Sequence, residues 1–144
     1  MPIMRNKSLL LWALLLLPAL LSCDPDQRCS VPIGDASCCI EPNSTLYYDL
    51  NHTGGYVYLT GGAHGLVVVR TSINEFAVFE RTCPVDHDAI VSADENWGGA
   101  IMTCPKCNTR FSTYTDGYPL ESGATECPLF QYSAVYDGIF LYIR

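Results

Sequence analysis

The chain has 144 residues, 8 of them basic and 15 acidic, for a net charge of −7. That balance repels a polyphosphate backbone and argues against nucleic-acid binding. Eight cysteines in so short a chain point instead to disulfides, metal ligation or both.

The amino terminus, "MPIMRNKSLLLWALLLLPALLSC", carries Arg5 and Lys7 ahead of an almost wholly apolar run from Leu9 to Leu21. A cationic start, a short apolar stretch and small residues at its end predict an export signal over residues 1–22, too short to span a membrane. Leu20-Leu21-Ser22-Cys23 resembles the lipobox of bacterial lipoproteins. The resemblance implies cleavage before Cys23, acylation of its thiol and attachment to a membrane of the bacterial cell envelope; inner and outer membrane stay open. Losing Arg5 and Lys7 leaves six basic side chains against fifteen acidic ones, a net charge of −9 on about 122 residues. That length holds one domain. Export places Cys29, Cys38, Cys39, Cys83, Cys104, Cys107 and Cys127 where disulfides persist. Seven is odd, so three metal ligands with two disulfides, or three disulfides with one free thiol, both fit.

Residues 23–45 predict a tether and an irregular cysteine-rich segment, because prolines and acids break any apolar period. Cys38 and Cys39 are adjacent, so each is expected to look elsewhere for a partner. From residue 46 to 144 the signals are strands. "LYYDL", "GYVYLT", "GLVVVRT", "EFAVFER" and "GAIMTC" are short and rich in aromatic and β-branched residues. "GGAHG" at 61–65 and "SINE" at 72–75 read as turns, and Asp116-Gly117 as another. Asp137-Gly138 predicts a hairpin between "QYSAVY" and "IFLYIR". About ten strands in about 100 residues predict an all-β domain, a small antiparallel barrel or sandwich.

Two cysteine motifs carry the chemistry. "RTCPVDHDAI" (81–90) offers Cys83 and His87, and "MTCPKCNTRF" (102–111) offers Cys104 and Cys107 in a C-x-x-C. Three thiolates and one imidazole suit a tetrahedral Zn(II) or a [2Fe–2S] cluster; alternatively the sulfurs bond to one another. His87 sits between Asp86 and Asp88, a setting that also suits a solvated loop. No G-x-S-x-G or nucleotide-binding glycine loop accompanies them.

From about Tyr56 onward the order of strand "EFAVFER", loop "TCPVDH", loop "CPKCNTRF", "DGYPLESGATECPL" and a final hairpin resembles the Rieske ferredoxin fold. Cys83 and Cys104 match that family's two cysteines, Phe111 its aromatic after the second loop, and Ser122-Gly123-Ala124 its covering stretch. The resemblance implies an all-β domain of Rieske type whose two loops meet at one tip. The departures fall on the ligands. Val85 stands at the first histidine position, Cys107 at the second, and Asn108 replaces a glycine. Valine ligates nothing, so the usual two-Cys, two-His cluster is excluded. Facing loops would let Cys83 bond to Cys104 or Cys107, a staple contributing about 2–4 kcal/mol; Cys127 would take the remaining loop cysteine or pair with the amino-terminal segment. A folded, cluster-loaded chain calls for a twin-arginine export signal, and "MPIMRNKS" holds a single arginine.

These features favour a lipid-anchored, non-catalytic binding or accessory module for an unknown protein partner, with the loop cysteines mostly oxidised and no resident cofactor. The alternative is a one-electron carrier with an altered [2Fe–2S] centre on Cys83, His87, Cys104 and Cys107. A zinc-stabilised domain on the same four residues is the third reading.

Overall fold

The computed structural model describes residues 29–121 and 125–144. The export signal, Cys23 and Ser122-Gly123-Ala124 lie outside the described residues. Among those described, ten strands are all antiparallel: β1 (Cys38–Ile40), β2 (Tyr56–Leu59), β3 (Leu66–Arg70), β4 (Phe76–Glu80), β5 (Ser92–Asp94), β6 (Gly98–Thr103), β7 (Arg110–Ser112), β8 (Gln131–Tyr132), β9 (Ala134–Tyr136) and β10 (Leu141–Ile143). They form sheets of order β2-β3-β4-β8, β1-β10-β9 and β5-β6-β7. The all-β expectation holds, and no described helix is long and apolar enough to cross a membrane.

β3 sits at the centre. "LVVVR" is an uninterrupted apolar run because both faces of this strand are covered, and all five residues are buried. Its alternation feeds two cores. Val67 and Val69 join Ala77, Phe79, Val91, Met102, Phe111 and Leu129. Leu66 and Val68 join Ile40, Leu50, Val78, Leu141 and Ile143. β8 and β9 are separated only by Ser133, so one segment serves two sheets. The Ser133 and Arg144 backbones exchange hydrogen bonds of 3.0 and 2.9 Å and carry the β9–β10 ladder to that point.

Two expectations change. "LYYDL" is not a strand: Thr45–Asn51 form a 3-10 helix, kinked at Tyr47. Its aromatic content suits a strand, but Leu50 is buried and Tyr47, three residues earlier, is partly so, while Leu46, Tyr48 and Asp49 face out. That three-residue spacing is the period of a 3-10 helix. The buried Arg70 guanidinium fastens the helix to the end of β3, donating to the carbonyl of Leu50 at 2.8 Å and to Asn43 Oδ1 at 2.9 Å. The amino-terminal segment is also less irregular than its composition implies. Cys38–Ile40 pair with β10 through Cys38↔Ile143 and Ile40↔Leu141. A disulfide joins Cys29 to Cys127 across 98 residues, with Cα atoms 5.2 Å apart; of the two pairings open to Cys127, this is the amino-terminal one. The expected turns are present at 61–65 and 72–75, and the hairpin turn at Asp137-Gly138 has Asp137 Oδ1 accepting from the amides of Ile139 and Phe140.

Candidate metal centre

Two loops meet at one end of the first core. The first leaves β4 and is drawn tight by Cys83 N–H to Ala89 O at 2.9 Å and Ala89 N–H to Asp86 O at 2.7 Å. The second joins β6 to β7, with Cys104 N–H bonded to Thr109 O and Asn108 N–H to Cys104 O, each 3.0 Å. Each loop starts with the same device, a cysteine, a proline, one further residue and then a side chain that turns inward: Cys83-Pro-Val-Asp86 and Cys104-Pro-Lys-Cys107. The ligand atoms of these four residues, Cys83, Asp86, Cys104 and Cys107, all lie within 4.8 Å of one another.

The root of the first loop is fixed by a buried carboxylate. Glu80, the last residue of β4, is fully buried and accepts hydrogen bonds from the amides of Ala63 (2.8 Å) and His64 (3.0 Å), the Thr82 hydroxyl (3.0 Å) and the Tyr132 hydroxyl (2.9 Å). Burial pushes its pKa up, but these donors together hold it below the ordinary glutamate value. Burial and the Glu80 contact push the Tyr132 hydroxyl up to about 12, so it keeps its proton and stays a donor. Gly62 is required here. Its φ is +62°, and a Cβ would run into the Glu80 carboxylate.

Within the tip, Cys83 and Cys104 are fully buried and Cys107 is half-buried. Burial pushes the Cys83 thiol up to about 12. Burial also raises Cys107, but the Thr109 hydroxyl and amide and the Cys104 and Cys83 thiols outweigh it and hold Cys107 below the ordinary thiol value. Thr109 Oγ1 is 3.1 Å from Cys107 Sγ. Lys106 reaches across from the second loop to Asp86 Oδ1 at 3.1 Å, tying the loops together and setting a cation against the acidic group.

Of the four expected ligands, Cys83, Cys104 and Cys107 lie together at the tip. His87 does not join them: it is exposed, and Asp86 occupies the fourth position. The repeated C-P-x-[D/C] pattern is the signal that identifies Asp86. The expected disulfide between the loops is also not formed. All three sulfurs are free, and Cys83 Sγ lies 3.7 Å from Cys107 Sγ, in contact rather than bonded. Cys38 and Cys39 are free as well, on opposite faces of β1.

Asn108, which stands where the resemblance expects glycine, adopts a left-handed conformation with φ +58°. Asparagine tolerates the left-handed region better than other side chains. Asn108→Gly is expected to change stability by less than about 0.5 kcal/mol and Asn108→Val to cost about 1–2 kcal/mol, measured by denaturant unfolding.

The donor set suits a thiophilic metal, since thiolate-rich sites of this kind hold zinc or iron–sulfur iron. The Thr109 hydroxyl, 3.1 Å from Cys107 Sγ, supplies an outer contact of the kind that ligating sulfurs need.

No family model matches this chain, and no curated protein matches it. Among solved structures, it is similar to the ferredoxin of carbazole 1,9a-dioxygenase from Nocardioides aromaticivorans IC177, with a TM-score of 0.47 and 18% identity over 79% of this chain and 97% of that one. It is also similar to a chain in a complex of reduced oxygenase and oxidised ferredoxin in carbazole 1,9a-dioxygenase, with a TM-score of 0.48 and 26% identity over 64% of this chain and 82% of that one.

Proposed function

We propose that this protein is an exported, lipid-anchored, non-catalytic module of the bacterial cell envelope whose tip binds a single zinc ion on Cys83, Asp86, Cys104 and Cys107. The observation that carries the metal reading is the convergence of four donor atoms within 4.8 Å. Two thiolates bound at ~2.3 Å to one tetrahedral zinc stand ~3.8 Å apart. The Cys83–Cys107 separation of 3.7 Å matches that edge. A two-iron cluster needs its donors split between opposite ends of the iron pair, a wider spread than this cage offers. The ion would bridge the two loops and lock the tip as a rigid surface for a protein partner. Zinc can be taken up after export, so the single arginine of the leader is no obstacle. The anchor rests on Cys23 and the leader before it.

Metal analysis of the purified chain is expected to find one zinc and no stoichiometric iron. Cobalt(II) substitution should give intense thiolate-to-metal absorption. Cys104→Ser or Asp86→Ala should weaken zinc binding at least about tenfold, whereas His87→Ala should leave it unchanged. About two irons per chain, with visible absorption that bleaches on reduction, would replace this reading with the electron-carrier one. Membrane release of a Cys23→Ser variant tests the anchor.

A further inference from the structure

The three tip sulfurs differ in how far solvent reaches them. Cys83 and Cys104 are fully buried; Cys107 is half-buried. Directly behind the reachable sulfur lies a second one, Cys83 Sγ, 3.7 Å away on the opposite loop. A bond between them needs about 2.05 Å, so the two sulfurs must draw closer by about 1.7 Å. Thr109 Oγ1 stands 3.1 Å from Cys107 Sγ and fixes its position on the second loop. Val85 on one loop and Pro105 on the other are exposed apolar residues, each two positions from a loop cysteine.

We infer that Cys107 and Cys83 form a thiol–disulfide exchange site whose substrate is a disulfide presented from solution, either low-molecular-weight or on another protein. Cys107, as thiolate, attacks one sulfur of the substrate; the substrate S–S bond breaks, its distal half leaves as a thiolate, and a mixed disulfide forms on Cys107. Cys83 then attacks Cys107 Sγ, giving up its proton. The Cys83–Cys107 bond forms and the second half of the substrate leaves as a thiolate. The two cysteines are oxidised by two electrons, and the substrate disulfide is reduced to two thiols. Cys104 takes no part. The site uses the sulfurs of the metal cage but not the metal, and oxidation removes two of the cage's four donors. Metal binding and exchange are therefore mutually exclusive.

The test uses the full chain in detergent, with Cys38→Ser and Cys39→Ser to remove other free thiols and with metal stripped by chelation. After incubation with oxidised glutathione and acid quenching, peptide mapping is expected to recover Cys83 linked to Cys107 in most chains. Cys83→Ser should instead accumulate a glutathione adduct at Cys107, and Cys107→Ser should leave Cys83 and Cys104 unmodified until denaturant is added. A Cys104–Cys107 link, an adduct first at Cys83 or Cys104, or no thiol loss without denaturant would overturn the assignment. Because the protein is metal-free, these outcomes do not depend on whether zinc is the native ion. In zinc-loaded protein, linkage should proceed with release of one zinc per disulfide formed, and at least tenfold more slowly.

Discussion

Replacing Glu80 with alanine is expected to lower the unfolding free energy by about 3–5 kcal/mol, read from denaturant midpoints at neutral pH. The change strips the shared acceptor from three backbone amides, those of Ala63, His64 and Thr82, and from the Thr82 and Tyr132 hydroxyls in the interior. Each buried donor left without a partner costs about 1–3 kcal/mol, and partial rehydration through the adjacent surface keeps the total below the sum. Glu80→Gln keeps the shape and one acceptor oxygen but turns a charged acceptor into a group that must also donate toward donors, so it should cost about 2–3 kcal/mol. The pH dependence separates charge from shape. Glu80 has a folded pKa below the ordinary 4.5, so its stabilising contribution is fully present above that value and is lost as pH falls through the lower folded one. The wild-type chain should therefore lose stability on acidification through this window, and Glu80→Gln should flatten that limb. A Glu80→Gln variant with an unchanged acid limb would show that the carboxylate does not set it.

Removing the disulfide with Cys29→Ser and Cys127→Ser is expected to cost about 4 kcal/mol and to lower the thermal midpoint by more than about 10 °C. The bond spans 98 residues, nearly the whole described chain. In the chain-entropy account the stabilisation acts on the unfolded ensemble and grows with loop length, which places this bridge near the top of the usual range. Reduction of the wild-type protein should reproduce the loss without mutation, provided metal is held constant, because tip thiols do not contribute to the bridge. A loss below about 1 kcal/mol would mean that the unfolded chain is already restrained or that β1 holds its place without the bond.

How much of this was readable in advance follows from what kind of signal each element carries. β3 and β4 were legible because "LVVV" and "FAVF" state their burial locally, with one apolar residue after another. The helix at Thr45–Asn51 was not, because its aromatic content mimics a strand while the spacing of Tyr47 and Leu50 becomes meaningful only once the core they face is known. β1 was hidden for a different reason: its partner lies about 100 residues away at the other terminus, and three residues among prolines and cysteines carry no period of their own. At the tip the cysteines announced themselves through C-x-x-C spacing. Asp86 did not, since a neighbouring histidine is the stronger ligand by type. The backbone decided otherwise by turning the third residue after each loop's first cysteine inward. Asn108 stands where the resemblance expects glycine, and its left-handed φ of +58° is a backbone state that glycine adopts freely.

Pairing of the first strand with the last has a temporal consequence. About 100 residues of chain separate Cys38–Ile40 from Leu141–Ile143, so this pairing must close a very long loop before it forms. The second core, which takes Ile40 from one segment and Leu141 and Ile143 from the other, cannot close before that pairing, so its assembly is a slow, non-local step. A change that dislodges β10 would therefore strip β1 of its partner as well.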